Sequence, residues 1–178
     1  QMKKGDLMLA RFRKMTENLN TPTILTPSTG TIAFGAKISL YAPHVPSTDP
    51  PMDSKPGLLL GGRISSDDIP YSQELEDGCS VVGLPYSEPA HRNAFIITSA
   101  DYCDRTGEIL KYNQEFLLKL ASSVNRQVCF MLRSLLTQRI YLQVNQDVII
   151  NHCATNLNLG IHLGHWAVGY YGKVSIGV

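Results

Sequence analysis

Along the first twenty residues, Leu7, Met8, Arg11, Phe12, Met15 and Leu19 recur at steps of three and four with no proline among them. That spacing predicts an amphipathic helix of about four turns over Lys4 to Asn20, with one apolar stripe and a polar remainder. Beyond it the period changes to two. Three nonapeptides, Ile32 to Leu40 (IAFGAKISL), Leu110 to Leu118 (LKYNQEFLL) and Leu142 to Ile150 (LQVNQDVII), are apolar at positions 1, 3, 7 and 9. Each carries Gly or Asn at position 4, namely Gly35, Asn113 and Asn145.

Alternation places positions 1 and 3, then 7 and 9, on one buried face, and Gly and Asn are the residues that tolerate a left-handed backbone between two strands. Each unit therefore reads as strand, tight turn, strand. A further apolar run follows each one: Leu58 to Leu60, Val128 to Leu132, and Leu157 to Leu163. The segment Asn93 to Ser99 (NAFIITS) adds another strand. Three units, each too small to bury its own apolar face, point to an all-β fold closed as a β-trefoil-like core, with a β-sandwich of similar hairpins as the alternative.

The proline pattern sets the domain organisation. All ten prolines lie between Pro22 and Pro89, and from Asp49 to Glu88 eight acidic residues face only Lys55 and Arg63. The expected division is a helical arm over 1–22, a β domain over 23–165 carrying a long proline-rich acidic insertion at 41–90, and a C-terminal extension over 166–178. The arm has the opposite sign, with Lys3, Lys4, Arg11, Arg13 and Lys14 against Asp6 and Glu17. Such a helix can meet an acidic surface, or its charges can simply be the solvated side of a packed helix.

For the 178 residues together, 16 Lys and Arg nearly balance 15 Asp and Glu, which argues against a nucleic-acid binder. No window approaches the ~18–20 apolar residues of a spanning helix, no signal peptide is visible at Gln1 to Asp6, and no membrane role is expected. Cys79, Cys103, Cys129 and Cys153 show no Cys-x-x-Cys pair, so reduced thiols are expected. Asn151-His152-Cys153 with His162 and His165 is the most tempting metal cluster, but adjacent His152 and Cys153 point to opposite faces of a strand, and no metal is expected. Neither Cys103 nor Cys153 sits in a nucleophile signature, and the Gly-rich turns at Gly30 and Gly61-Gly62 lack the Lys-Ser/Thr of a phosphate loop. The expectation is a protein that is not an enzyme and uses no cofactor.

Two longer strings carry a family likeness. Arg92 to Phe116 (RNAFIITSADYCDRTGEILKYNQEF) and Val148 to Gly172 (VIINHCATNLNLGIHLGHWAVGYYG), together with the opening helix and Ile32-Ala33-Phe34-Gly35, resemble the cilia- and flagella-associated protein 161 family in the same order along the chain. The segment 41–89 and the residues after Gly172 depart from it. The resemblance implies a microtubule inner protein in the A-tubule lumen of axonemal doublets, a non-enzymatic component touching tubulin and other inner proteins and supporting ciliary motility. On this reading Lys3, Lys4, Arg11, Phe12, Arg13, Lys14 and Met15 form the partner-binding arm. The competing reading is a carbohydrate- or ligand-binding module using Trp166, Tyr170 and Tyr171 as a platform.

Overall fold

The computed structural model describes residues 4–27, 30–45, 57–64, 75, 81–85, 88–121, 128–133, 140–169 and 172–177. The fold is all-β with a single N-terminal helix among the described residues. Helix α1 covers Lys4–Leu19. Strands β1 (Lys37–Ile38), β5 (Phe95–Ser99), β6 (Glu115–Leu120), β7 (Val128–Arg133), β8 (Ile149–His152) and β9 (Leu157–Asn158) form one antiparallel sheet in that order. A second antiparallel sheet runs β10 (Ile161–Gly169), β11 (Gly172–Gly177), β4 (Val81–Leu84), β3 (Leu58–Gly62) and β2 (Tyr41–Ala42).

The three nonapeptides meet. Leu110 N–H donates to Ile32 O at 2.8 Å, Ile32 N–H to Leu142 O at 3.0 Å, and Leu142 N–H to Leu110 O at 3.0 Å, a closed cycle of three backbone bonds. Two residues further along each unit the pattern repeats, with Phe34 donating to Glu108 O, Tyr112 to Ile140 O and Val144 to Gly30 O. The register is the same in all three pairs. It places even-numbered residues of these short segments inward, so Phe34, Leu110, Tyr112 and Leu142 are buried.

After each turn alternate residues in or beside the next strand continue the same apolar cluster: Ile38 and Leu40, Phe116 and Leu118, Val148 and Ile150. Of the twelve apolar repeat positions, all but half-buried Val144 belong to it. The turns between have φ of +83° at Gly35, +60° at Asn113 and +53° at Asn145. At Gly35 a side chain is excluded twice over, since a Cβ would also lie 2.8 Å from Thr106 Cγ2.

Two boundaries differ from the sequence reading. Residues 41–90, expected as a surface loop, contain β2, β3 and β4 among their described part, because Leu59 to Gly62 pair with Val81 to Leu84, and Leu58, Leu59, Val82 and Leu84 are buried. Residues 166–178, expected as an extension, include the end of β10 and all of β11, which lies between β10 and β4 in the sheet. A polar clamp joins these elements to the helix. Buried Arg92 donates from Nε and Nη2 to Gly62 O at 3.2 and 2.9 Å, its backbone N–H donates to Leu19 O, and its carbonyl accepts from Gly62 N–H. Neighbouring Asn93, also buried, closes the preceding turn by accepting from Ala90 N–H and donating to Glu88 O.

Replacing Gly35, Asn113 or Asn145 singly with valine is expected to lower stability in urea by about 1–3 kcal/mol each, since a β-branched residue is strained at positive φ. Asn113→Gly and Asn145→Gly should be neutral or stabilising. Unchanged urea midpoints for all three valine variants would contradict the role assigned to these turns.

Candidate interaction surface

Helix α1 is only half docked. Met15 (0% exposed), Thr16 and Leu19 are buried and Phe12 is half-buried against the core, whereas Leu7, Met8 and Leu9 remain 45%, 40% and 49% exposed. At 100° per residue, Met8 lies in line with Met15 and Leu19, so the stripe that seats the helix continues past the edge of the body. Leu7 and Leu9 flank it. Beyond Leu19 the chain is held to the β domain by Arg92 N–H, by His91 N–H donating to Thr21 O, and by Thr23 N–H donating to Pro89 O. The helix is thus anchored at its C-terminal end, and residues 5–11 towards its N-terminal end are exposed.

The residues expected to bind a partner divide accordingly. Arg11, Arg13 and Lys14 are exposed on the helix. Lys4 opens it, while Lys3 lies outside the described residues. Met15 is corrected: it is a core side chain, because the stripe turns inward from Phe12 onward and Met15 faces the cluster containing Leu19 and Phe34. Phe12 is partly occupied in the same way. On α1 the large apolar residues left exposed are Leu7, Met8 and Leu9, and periodicity alone could not separate the buried half of the stripe from the exposed half.

The metal-like string Asn151 to Asn156 builds a hairpin turn. His152 Nδ1 and Thr155 Oγ1 are hydrogen-bonded at 2.8 Å, and Thr155 Oγ1 also accepts from Leu157 N–H. Asn156 takes φ +54° and donates to His152 O, while buried Asn151 pairs its amide with Asn158 across the strands. His162, His165 and Trp166 lie on β10, whose side chains there are outside the description, as are Tyr170 and Tyr171. Cys103 and Cys153 are thiols outside any disulfide.

One exposed turn went unrecognised in the sequence. Asp101 accepts from Ser99 Oγ at 2.5 Å, from Cys103 N–H at 3.0 Å and from Arg105 Nε and Nη2 at 3.0 and 2.6 Å. The Ser99 hydroxyl first, and Arg105 next, hold its carboxyl far below the ordinary carboxylate range. Asp104 is also lowered, chiefly by Thr106. Between these carboxylates Tyr102 has φ +58° and is 85% exposed. The Asp-x-Cys and Asp-x-Thr spacings could have signalled side-chain-capped turns, but nothing about tyrosine announces a left-handed backbone.

Three likenesses to known proteins bear on this arrangement. The solved structure of the SDF2-like protein from Arabidopsis thaliana is similar in fold, with a TM-score of 0.58 at 13% identity over 83% of this chain and 86% of that one. Cilia- and flagella-associated protein 161 of Bos taurus is 27% identical over 96% of this chain and 65% of its own length. The Mus musculus protein of the same name is 27% identical over 87% of this chain and 53% of its own length. This chain therefore spans between half and two thirds of those relatives. Residues 11–141 match the cilia- and flagella-associated protein 161-like domain, from the docked part of α1 to the third repeat, and the chain belongs to that family.

Proposed function

We propose that this chain is a non-enzymatic structural component of the axonemal doublet microtubule, an inner protein bound in the A-tubule lumen, with tubulin and other inner proteins as its partners. The observation that carries the reading is the projecting half of α1: an anchored helix that leaves Leu7, Met8 and Leu9 exposed beside Arg13 and Lys14, on a chain whose family is cilia- and flagella-associated. An isolated two-turn helix is marginal in water, and three large apolar side chains on it gain by burial against a neighbour. Its cations suit an acidic face. The core beneath it is built on a β-trefoil plan in this proposal, which the cyclic bonding of Ile32, Leu110 and Leu142 supports.

A protein of this kind stabilises the assembled lattice by binding it in preference to free subunits. Repetition along the filament raises the effective concentration of each contact, so modest individual affinities suffice. Lattice stability, supplied in this way, supports ciliary motility and requires no cofactor or reaction.

In demembranated axonemes the tagged protein is expected to resist high salt and leave only when detergent opens the doublets; release with the soluble matrix or the membrane fraction would sink the proposal. Arg13→Glu with Lys14→Glu, and separately Leu7→Asp with Met8→Asp, should each lower axonemal retention several-fold. Thermal midpoints of the isolated chain should move by no more than ~2 °C, since the altered side chains are exposed. By contrast Met15→Ala should cost about 2–5 kcal/mol in urea through the cavity it leaves. Retention unchanged by both surface pairs would remove the helix from the interface.

A further inference from the structure

Four residues other than glycine take positive φ among the described residues: Asn113, Asn145, Asn156 and Tyr102. Asparagine is the usual choice for this conformation after glycine, because its short polar side chain bonds locally. A bulky aromatic residue is the unusual one, and its strain is maintained only when the surroundings over-determine it. Here they do. Asp101 accepts from Ser99 Oγ and Cys103 N–H, two residues to either side, Arg105 reaches back to Asp101 and forward to Glu108, and Tyr102 N–H donates to Ser99 O at 3.4 Å.

The strain is not repaid by packing, because Tyr102 as a residue is 85% exposed. Glycine or asparagine would hold the same turn at lower cost, so the identity of the side chain answers to something outside the fold. The turn presents one aromatic group to solvent on a hydrogen-bonded backbone, the arrangement that makes an interface anchor: large contact area on a side chain with few rotatable bonds. Its surroundings select the partner. Asp101, Asp104 and Glu108 outnumber Arg105, and a phosphate-bearing ligand would be repelled. A lysine or arginine is drawn both to the ring face and to the carboxylates beside it.

We propose that Tyr102 is a preorganised anchor for a partner protein, seated in an apolar pocket whose lining includes an arginine or lysine that lies over the ring and pairs with Asp104 or Glu108. This surface is separate from the helix arm and does not require the A-tubule location. The full chain with Tyr102→p-benzoylphenylalanine, expressed in ciliated cells and irradiated, should yield a cross-linked peptide containing Lys or Arg within a few residues of the attachment point. Yield should exceed at least five-fold that of the same probe at exposed Glu17. A yield no higher than the control, or cross-links to nucleic acid, lipid or a second copy of this chain, would overturn the proposal. Cross-links to a basic pocket on a protein outside the cilium would uphold it and count against the ciliary reading.

A paired measurement separates contact from folding. Tyr102→Gly should leave the thermal midpoint unchanged or raise it by about 2–4 °C, by relieving positive φ. The same variant should lose most of the partner identified by cross-linking, while Tyr102→Phe, which keeps the ring face, retains it. A lowered midpoint for Tyr102→Gly would mean that the ring serves the fold and would refute the anchor.

Discussion

Three backbone hydrogen bonds, each joining one short segment to the next and the last back to the first, hold the core together. None of the segments around Ile32, Leu110 and Leu142 is long enough to be a strand in its own right, and each bridges its neighbours through isolated residue pairs such as Ala33 with Ile109 and Lys111 with Tyr141. Because every segment exchanges backbone hydrogen bonds with both of the others, removing any one leaves the two remaining segments with unpaired backbone groups at the centre of the protein. The cycle also fixes register: a one-residue slip would turn Leu110 outward and Lys111 into the core.

Most of this was legible because it follows from period-two patterning and turn chemistry. The three repeats, the left-handed residues Gly35, Asn113 and Asn145, the strand at Phe95 and the helix extent can all be read from residue types. What could not be read is where a continuous apolar pattern stops being covered. Met15 and Met8 are equivalent on a helical wheel, and only the edge of the β domain decides that one is core and the other surface. In the same way the proline-rich composition of 41–90 concealed β4, whose partner strand β11 is about ninety residues away in the chain and invisible to any local window.

The strings that carry the family likeness divide their labour. Arg92 and Asn93 clamp the helix end, β3 and the preceding turn, and Asn151, His152, Thr155 and Asn156 shape a hairpin. These residues are occupied within the fold. Among the described residues, the same likeness also includes exposed side chains, Leu7, Met8 and Leu9 on α1 and Tyr102 in its turn. The polar residues from Asn151 to Asn156, which first suggest chemistry, serve architecture.

The closed cycle also has a temporal side. Ile32 accepts from Leu110 and donates to Leu142, a partner 110 residues later in the chain, so the core cannot close until the third repeat has left the ribosome. At ordinary rates of synthesis of about 5–20 residues per second, the first repeat waits for roughly 5–20 s with its apolar face uncovered. Folding dominated by such distant pairings is slow as well, because loop closure precedes any gain from contact. During that interval the uncovered apolar face is exposed to aggregation, a kinetic demand that follows directly from the placement of three short segments.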